Sequence, residues 1–205
     1  MGFIRKTLAS RDNWALLALV TILFALLIGL SGSSDATVED DYEYLSDGSN
    51  VTITGYTGTG GAITIPSTLG GKPVTTIDDS AFEGNAVITA VSIPSSVTAL
   101  GEKVFENCTK LQTVIFLEGS TIASIPQGAF RGCTSLATIN IPSTVTSIGK
   151  VFPGGAFEGC SSLVTISIPD AVTDMGVYTF RDCINLTSVT FTENSMLRNL
   201  GNSET

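Results

Sequence analysis

The chain has 205 residues, of which 43% are hydrophobic and only 14% are charged, and its net charge is −9. It contains no histidine, which excludes Ser-His-Asp and Cys-His catalytic sites, imidazole-bound zinc and a histidine pH switch. The acidic balance also argues against nucleic-acid binding, because that binding depends on Lys and Arg side chains that neutralise phosphates.

Residues 1–36 are predicted to be an export signal. Arg5 and Lys6 precede an uncharged run, residues 14–30, which reads WALLALVTILFALLIGL. A basic start before an apolar run is typical of a secretory signal. The run is long for a cleaved signal and short for a spanning helix, so cleavage at Ala36 and retention as a membrane anchor both stay open. Only residues 14–30 would contact the membrane.

Residues 37–50 are predicted to be an acidic linker that ends in a capping strand. Acidic side chains are frequent here, but the spacing of a calcium-binding loop is missing, so no metal site is expected. Residues 42–54 read as strand, turn and strand. We expect this hairpin to cap the first coil of the repeats that follow in residues 51–205.

One unit recurs along the rest of the chain. A phenylalanine returns every 23 to 27 residues; a cysteine follows three residues later in all but the first copy, and an aliphatic residue three further on. The phenylalanines are Phe82, Phe105, Phe130, Phe157 and Phe180; the cysteines are Cys108, Cys133, Cys160 and Cys183; the leucines are Leu111, Leu136, Leu163 and Leu186. These positions form the predicted repeat core.

Each unit predicts one coil of a solenoid. The segment L-x-x-V-x-I alternates inward and outward and is β-branched, as a short strand requires. Gly, Pro, Ser and Asp follow it and favour corners. A single coil cannot bury enough apolar surface to fold, so stability must come from contacts between stacked coils. The fold class is therefore mainly β, with about 5–6 coils of about 23 residues.

The pattern A-F-x-x-C-x-x-L-x-x-V-x-I-P resembles the BspA-like class of leucine-rich repeats, found in bacterial and some protist surface proteins. The resemblance covers about residues 42–205. It implies a right-handed, curved solenoid whose L-x-x-V-x-I strands line the concave side, and binding to extracellular or cell-surface proteins. The copy at Asn85 lacks the cysteine, and two units carry insertions, within 116–130 and 141–157. These insertions are expected to bulge at coil edges.

The end of the sequence lies inside a unit. Residues 191–205 align with 116–130, so that Thr205 stands where Phe130 does. Solenoids need a closing cap, and the repeats are therefore expected to be truncated.

Four cysteines in an exported chain would ordinarily suggest two disulfides. All four occupy one repeat position, where a cysteine behaves as a small buried hydrophobe. We favour a ladder of buried thiols. Disulfides between stacked neighbours stay open, whereas zinc is disfavoured because no C-x-x-C pair exists.

The outward strand positions form the candidate concave binding surface: Ser92, Thr113, Ile115, Thr138, Asn140, Thr165, Ser167, Ser188 and Thr190. None is acidic, basic or aromatic. General acid–base catalysis needs a titratable group near the reacting atom, so we expect no enzyme, no cofactor and no metal. These hydroxyls could equally serve only to solvate strands.

Three functions are weighed. The first is a non-catalytic secreted or cell-surface protein that mediates protein–protein binding and adhesion. The second is a spacer that presents a missing C-terminal domain. The third, an ordered Ser/Thr array that binds a polysaccharide or ice, is disfavoured because Ile115 and Asn140 interrupt the hydroxyl columns.

Overall fold

The computed structural model describes residues 36–150 and 155–200. These residues contain strands and turns and no helix. The strands are β1 (Thr37–Glu39), β2 (Tyr42–Ser46), β3 (Val51–Tyr56), β4 (Gly61–Thr64), β5 (Thr68–Leu69), β6 (Lys72–Ile77), β7 (Ile88–Ile93), β8 (Ala99–Leu100), β9 (Thr113–Phe116), β10 (Ser124–Ile125), β11 (Thr138–Asn140), β12 (Ser147–Ile148), β13 (Thr165–Ile168), β14 (Asp174–Met175), β15 (Ser188–Phe191) and β16 (Asn199–Leu200).

The predicted hairpin is present at the start of this region. β2 pairs antiparallel with β3, and β1 adds a third strand on the other side of β2. Asp47 organises the turn, because its carboxylate accepts hydrogen bonds from the backbone N–H groups of Ser49 (2.8 Å) and Asn50 (2.6 Å). The hairpin joins the first coil through the parallel pairing of β3 with β6.

The predicted solenoid is confirmed and makes about six turns. The L-x-x-V-x-I segments supply one strand per turn, namely β4, β7, β9, β11, β13 and β15. β4, β7, β9 and β11 form one parallel sheet, and β13 and β15 form a second. The alternation of inward and outward side chains is the one that the sequence predicts, with Val114 and Phe116 buried and Ile115 exposed.

A second set of short strands, which the sequence analysis did not predict, lies on another side of each coil. β10, β12, β14 and β16 form a parallel sheet, while β8 pairs with β6. These strands come from the V-T-x-I-G part of the unit, whose inward residues, such as Ile125 and Ile148, are buried. The V-x-x-I spacing before the glycine of a unit is the sequence feature that could have predicted these strands.

Each coil turns sharply two residues after its phenylalanine. The backbone at this position has a positive φ in each of the five coils that contain this phenylalanine, at Gly84 (68°), Asn107 (58°), Gly132 (71°), Gly159 (75°) and Asp182 (58°). Gly, Asn and Asp are the residues that tolerate this left-handed conformation best. The turn explains why small or Asx residues stand between Phe and Cys.

Two predictions lie outside the described residues. The export segment, including 14–30, is one, and much of the insertion within 141–157 is the other. In the part of the chain that is described, no helix is long and apolar enough to cross a membrane.

Candidate binding surface

The outward side chains of β4, β7, β9, β11, β13 and β15 form a surface that we call the six-strand face. Parallel register places equivalent residues of successive coils beside each other: Ala90 beside Thr113, and Ser92 beside Ile115. The next coil adds Thr138 beside Thr113 and Asn140 beside Ile115. In the last coils Thr165 lies beside Ser188, and Ser167 beside Thr190. The candidate residues thus form two columns.

The structure places the nine candidate residues at or near the surface. Ile115, Thr138, Asn140, Thr165, Ser167 and Thr190 are exposed, whereas Ser92, Thr113 and Ser188 are half-buried. Ile115 is the large apolar side chain among them and is 42% exposed. The two columns contain no charged group, as the sequence analysis expected, so they offer no general acid, base or nucleophile pair.

Several threonine hydroxyls elsewhere on the coils bond to the neighbouring coil. Thr98, Thr146 and Thr173 each donate to a backbone carbonyl of the preceding coil, over 3.3, 3.1 and 3.3 Å. Thr187 does the same toward the Val164 carbonyl, over 3.1 Å. These threonines stabilise the solenoid, and their donors are not available to a partner.

The hydroxyls of the six-strand face differ in this respect. Within residues 36–150 and 155–200, no side-chain hydrogen bond is formed by the hydroxyls of Ser92, Thr113, Thr138, Thr165, Ser167 and Ser188. Thr190 is the exception, since its hydroxyl donates to the Ile166 carbonyl over 3.3 Å. Most hydroxyls on this face therefore remain able to donate to and accept from a bound molecule.

Asn140 has a structural role that the sequence did not reveal. Its Oδ1 accepts from the Phe116 N–H and its Nδ2 donates to the Phe116 carbonyl, both over 2.9 Å. The carboxamide thus replaces a peptide group in the ladder, at a point where Pro142 has no N–H to offer. Asn140 is exposed, but each of its two polar atoms already makes one hydrogen bond to the neighbouring coil.

The predicted repeat core lies behind this face. The rings of Phe82, Phe105, Phe130, Phe157 and Phe180 stack with centroid separations of 4.9, 5.6, 5.5 and 5.8 Å. Tyr56 extends the column at the hairpin end, 5.7 Å from Phe82, and Tyr42 lies 5.1 Å from Tyr56. The two tyrosines were not predicted, because the first unit departs from the pattern. Leu111, Leu136 and Leu163 are fully buried, whereas Phe180 and Leu186, in the last described coil, are partly buried.

The four cysteines are buried free thiols in the structure. Cys108, Cys133, Cys160 and Cys183 each donate to the carbonyl of the phenylalanine one coil earlier, over 3.0, 3.0, 3.1 and 3.1 Å. In the copy without cysteine, Asn85 instead accepts from the N–H groups of Val87 and Ile88. Burial raises the pKa of Cys160 and Cys183 above the usual value, so both hold their protons.

A buried ion pair was missed by the sequence analysis. Glu106, whose side chain is 5% exposed, accepts a hydrogen bond from Arg131 Nε over 2.8 Å. Both residues directly follow their phenylalanine, one coil apart. Glu158 and Arg181 occupy the same position in later coils and lie 3.6 Å apart. The column Glu83, Glu106, Arg131, Glu158 and Arg181 could have been found by comparing charges at this repeat position.

Comparison with known proteins points to one repeat family. The family model described as BspA type Leucine rich repeat region (6 copies) matches residues 61–152 and 150–203. No curated protein shows significant similarity to the chain.

Solved structures of bacterial proteins share the fold. The leucine-rich repeat protein of T. pallidum is 33% identical, with a TM-score of 0.67, and the match covers 82% of each chain. A leucine-rich cell surface protein of Faecalibacterium prausnitzii is 28% identical, with a TM-score of 0.67 over 80% of this chain and 43% of that one. A leucine-rich repeat protein of Bacteroides ovatus is 28% identical, with a TM-score of 0.66 over 78% of this chain and 45% of that one. The chain therefore spans less than half of the last two proteins.

Proposed function

The chain belongs to the BspA-type leucine-rich repeat family, and on that premise we propose that it is a non-catalytic, exported protein-binding module. It acts at the cell surface or outside the cell, where it binds a protein of the extracellular matrix or of a neighbouring cell. The six-strand face is its binding surface. The description of the F. prausnitzii relative as a cell surface protein supports this location, as does the apolar run at residues 14–30.

The observation that carries the proposal is the difference between two sets of hydroxyls. In one set, the hydroxyls of Thr98, Thr146 and Thr173 donate hydrogen bonds to backbone carbonyls of the preceding coil. On the six-strand face, six hydroxyls in two columns have no described partner. A surface on which several uncharged hydroxyls are unpaired suits a partner that supplies complementary hydrogen bonds over several coils.

The charge and the shape of the six-strand face suit a protein partner. The face has no cationic side chain for phosphate or other polyanions and no aromatic side chain on which sugar rings could stack. Small side chains let a partner approach the backbone closely, and exposed Ile115 supplies an apolar contact. The catalytic functions need titratable groups that this face lacks.

The test uses the full chain and two matched substitutions. Thr138→Arg places a long cation in the middle of the six-strand face, and Ser124→Arg places the same side chain on the exposed outward position of β10. Binding of the labelled proteins to purified extracellular matrix proteins and to intact cells is measured as a function of concentration. We expect saturable binding that Thr138→Arg weakens by at least about tenfold and that Ser124→Arg leaves unchanged.

Two outcomes would oppose the proposal. Absence of saturable binding to every matrix protein and cell type would favour a spacer. Equal loss in both variants would place the binding surface elsewhere on the molecule.

A further inference from the structure

Two exposed aliphatic side chains lie next to each other on the six-strand face. Ile115 is 42% exposed and Leu117 is 40% exposed. One buried residue, Phe116, separates them, so their side chains point to the same side of the sheet, about 7 Å apart along the strand. Leu117 continues the ladder, because its N–H donates to the Ile93 carbonyl of the preceding coil over 2.9 Å. We call Ile115 and Leu117 the apolar pair.

The neighbouring coils leave the apolar pair uncovered. Its neighbours in the coils before and after are Ser92, Pro94, Asn140 and Pro142. Ser92 has a short side chain. The carboxamide of Asn140 is held against the Phe116 backbone by its two hydrogen bonds, both 2.9 Å long. The apolar pair therefore projects from the face between less prominent side chains.

The apolar pair differs from the other exposed large apolar side chains of the described residues. Val38, Val87 and Val164 have no exposed large apolar residue two positions away on the same strand. The others belong to the last described coil, where core positions such as Phe191 and Leu200 have no described coil after them. Single exposed apolar residues are common on protein surfaces, whereas adjacent ones more often mark a contact site.

The edge of the six-strand face beside the apolar pair is acidic. Because successive coils follow the same path, the residue after the Leu117 position stands at the carboxyl-terminal edge of the face in every coil. These residues are Ser67, Ser95, Glu118, Ser143, Asp170 and Glu193. Three of them are acidic and none is basic. Within residues 36–150 and 155–200, Glu118, Asp170 and Glu193 form no ion pair. We call these three residues the acidic edge.

We propose that the apolar pair and the acidic edge together bind a basic protein. This inference rests on the proposed function and names the chemistry of the partner. An aliphatic or aromatic side chain of the partner covers Ile115 and Leu117 and removes them from water. Lysine or arginine side chains of the partner lie opposite Glu118, Asp170 and Glu193, whose unpaired carboxylates disfavour an acidic protein. The net charge of −9 attracts a basic protein over a longer distance.

The first test removes the apolar contact from the full chain. Leu117→Ser shortens one member of the apolar pair, and Val38→Ser removes an exposed aliphatic side chain from β1, outside the six-strand face. Binding to purified extracellular matrix proteins is measured as a function of concentration, with basic and acidic proteins in separate sets. We expect saturable binding to basic proteins alone. Leu117→Ser should weaken this binding by at least about tenfold and Val38→Ser by less than about twofold.

The second test removes charge without changing side-chain size. Glu118→Gln with Glu193→Gln takes two charges from the acidic edge, and Glu83→Gln with Glu102→Gln takes two from exposed residues elsewhere. At low salt the first double variant should bind at least about threefold more weakly, mainly through slower association, and the second should change binding by less than about twofold. Added salt should remove the difference between the first double variant and the unmodified chain.

Equal binding to basic and acidic proteins would overturn the inference. So would binding that Thr138→Arg abolishes but that Leu117→Ser and Glu118→Gln/Glu193→Gln leave unchanged, a result that keeps the proposed function intact. Absence of saturable binding to every matrix protein and cell type opposes the proposed function itself, and the inference falls with it. Equal urea midpoints of the variants and the unmodified chain show that a loss of binding does not come from unfolding.

Discussion

The thiol of Cys133 donates a hydrogen bond to the carbonyl oxygen of Phe105, one coil earlier, over 3.0 Å. Phe105 in turn stacks on Phe130, which precedes Cys133 by three residues, with the rings 5.6 Å apart and 3° from parallel. From the coil of Phe105 onward, each coil is thus joined to the one before it by the same two residue types. This arrangement explains why Phe and Cys recur at a fixed separation.

The first prediction concerns the reactivity of the thiols. Burial raises the pKa of Cys160 and of Cys183, and the thiolate is the reactive form. Alkylation by iodoacetamide at pH 8 should therefore be about 100-fold slower in the folded protein than in guanidinium chloride. Cys183, which is 8% exposed while the other cysteines are fully buried, should react first. Mass spectrometry of peptides reports the order, and rapid labelling of all four thiols would contradict the ladder.

The second prediction concerns the turn after each phenylalanine. Gly132 has a φ of 71°, and a Cβ there would lie 2.3 Å from Asn107 Oδ1. Gly132→Ala should lower the free energy of unfolding by about 1–2 kcal/mol, because an L side chain is strained in this conformation. Asn107→Gly, at the equivalent position of the preceding coil, is the matched control and should change it by less than about 1 kcal/mol. Urea denaturation measures the free energy of unfolding of both variants. Equal losses would contradict the left-handed backbone conformation at Gly132.

The third prediction concerns the pair Glu106 and Arg131. The side chain of Glu106 is 5% exposed, and that of Arg131 is 35% exposed. Arg131→Ala leaves a buried carboxylate without its partner and should cost up to about 3–5 kcal/mol of unfolding free energy. Glu106→Ala leaves a guanidinium that can turn to water, so its cost should be smaller, about 1–3 kcal/mol.

A double-variant cycle checks the asymmetry of this pair. The double variant should be more stable than Arg131→Ala alone, since it contains no unpaired buried charge. A larger loss of unfolding free energy for Glu106→Ala than for Arg131→Ala would show that the burial of Glu106 does not control the stability contribution of this pair.

The fourth prediction concerns alkaline pH. Burial, with contributions from Tyr56, Asp41 and Asp40, raises the pKa of Tyr42 from 10.0 to about 12. The folded state therefore disfavours the phenolate, and unfolding becomes easier once the unfolded chain can ionise. The stabilisation from Tyr42 should be complete below pH 10 and should be lost as the pH rises to about 12.

Tyr42→Phe is the comparison for this pH range. It removes the ionisable group together with the hydrogen bond from the Tyr42 hydroxyl to the Thr64 carbonyl, 3.2 Å long. The ultraviolet titration of tyrosinate in the variant should lack the transition near pH 12. An unchanged titration curve would mean that the transition near pH 12 does not come from Tyr42.

Much of the solenoid could be predicted from particular residues. Phe105, Cys133 and Leu136 recur at constant offsets, and a side chain that occupies the same place in every coil must contact its equivalents when coils stack. The same periodicity assigned outward positions such as Thr138 and Thr165. Local pattern suffices here because each strand alternates its side chains between core and solvent.

The contacts between coils needed the tertiary structure. The offsets predict that β11 and β13 are neighbours, but they do not say that the two strands lack a ladder, because hydrogen bonding depends on the relative height of two coils. Asn140 looks like any outward polar residue until its carboxamide is seen against the Phe116 backbone.

The sequence by itself determined that this is a β-solenoid with Phe, Cys and Leu columns and an uncharged outer strand face, since these depend on spacing within one unit. The tertiary structure alone decided which hydroxyls remain unpaired, where Glu106 meets Arg131 and where the hydrogen-bonded ladder of the six-strand face is interrupted. Those features depend on how two coils of unequal length lie against each other, and a repeat pattern read one coil at a time does not contain that information.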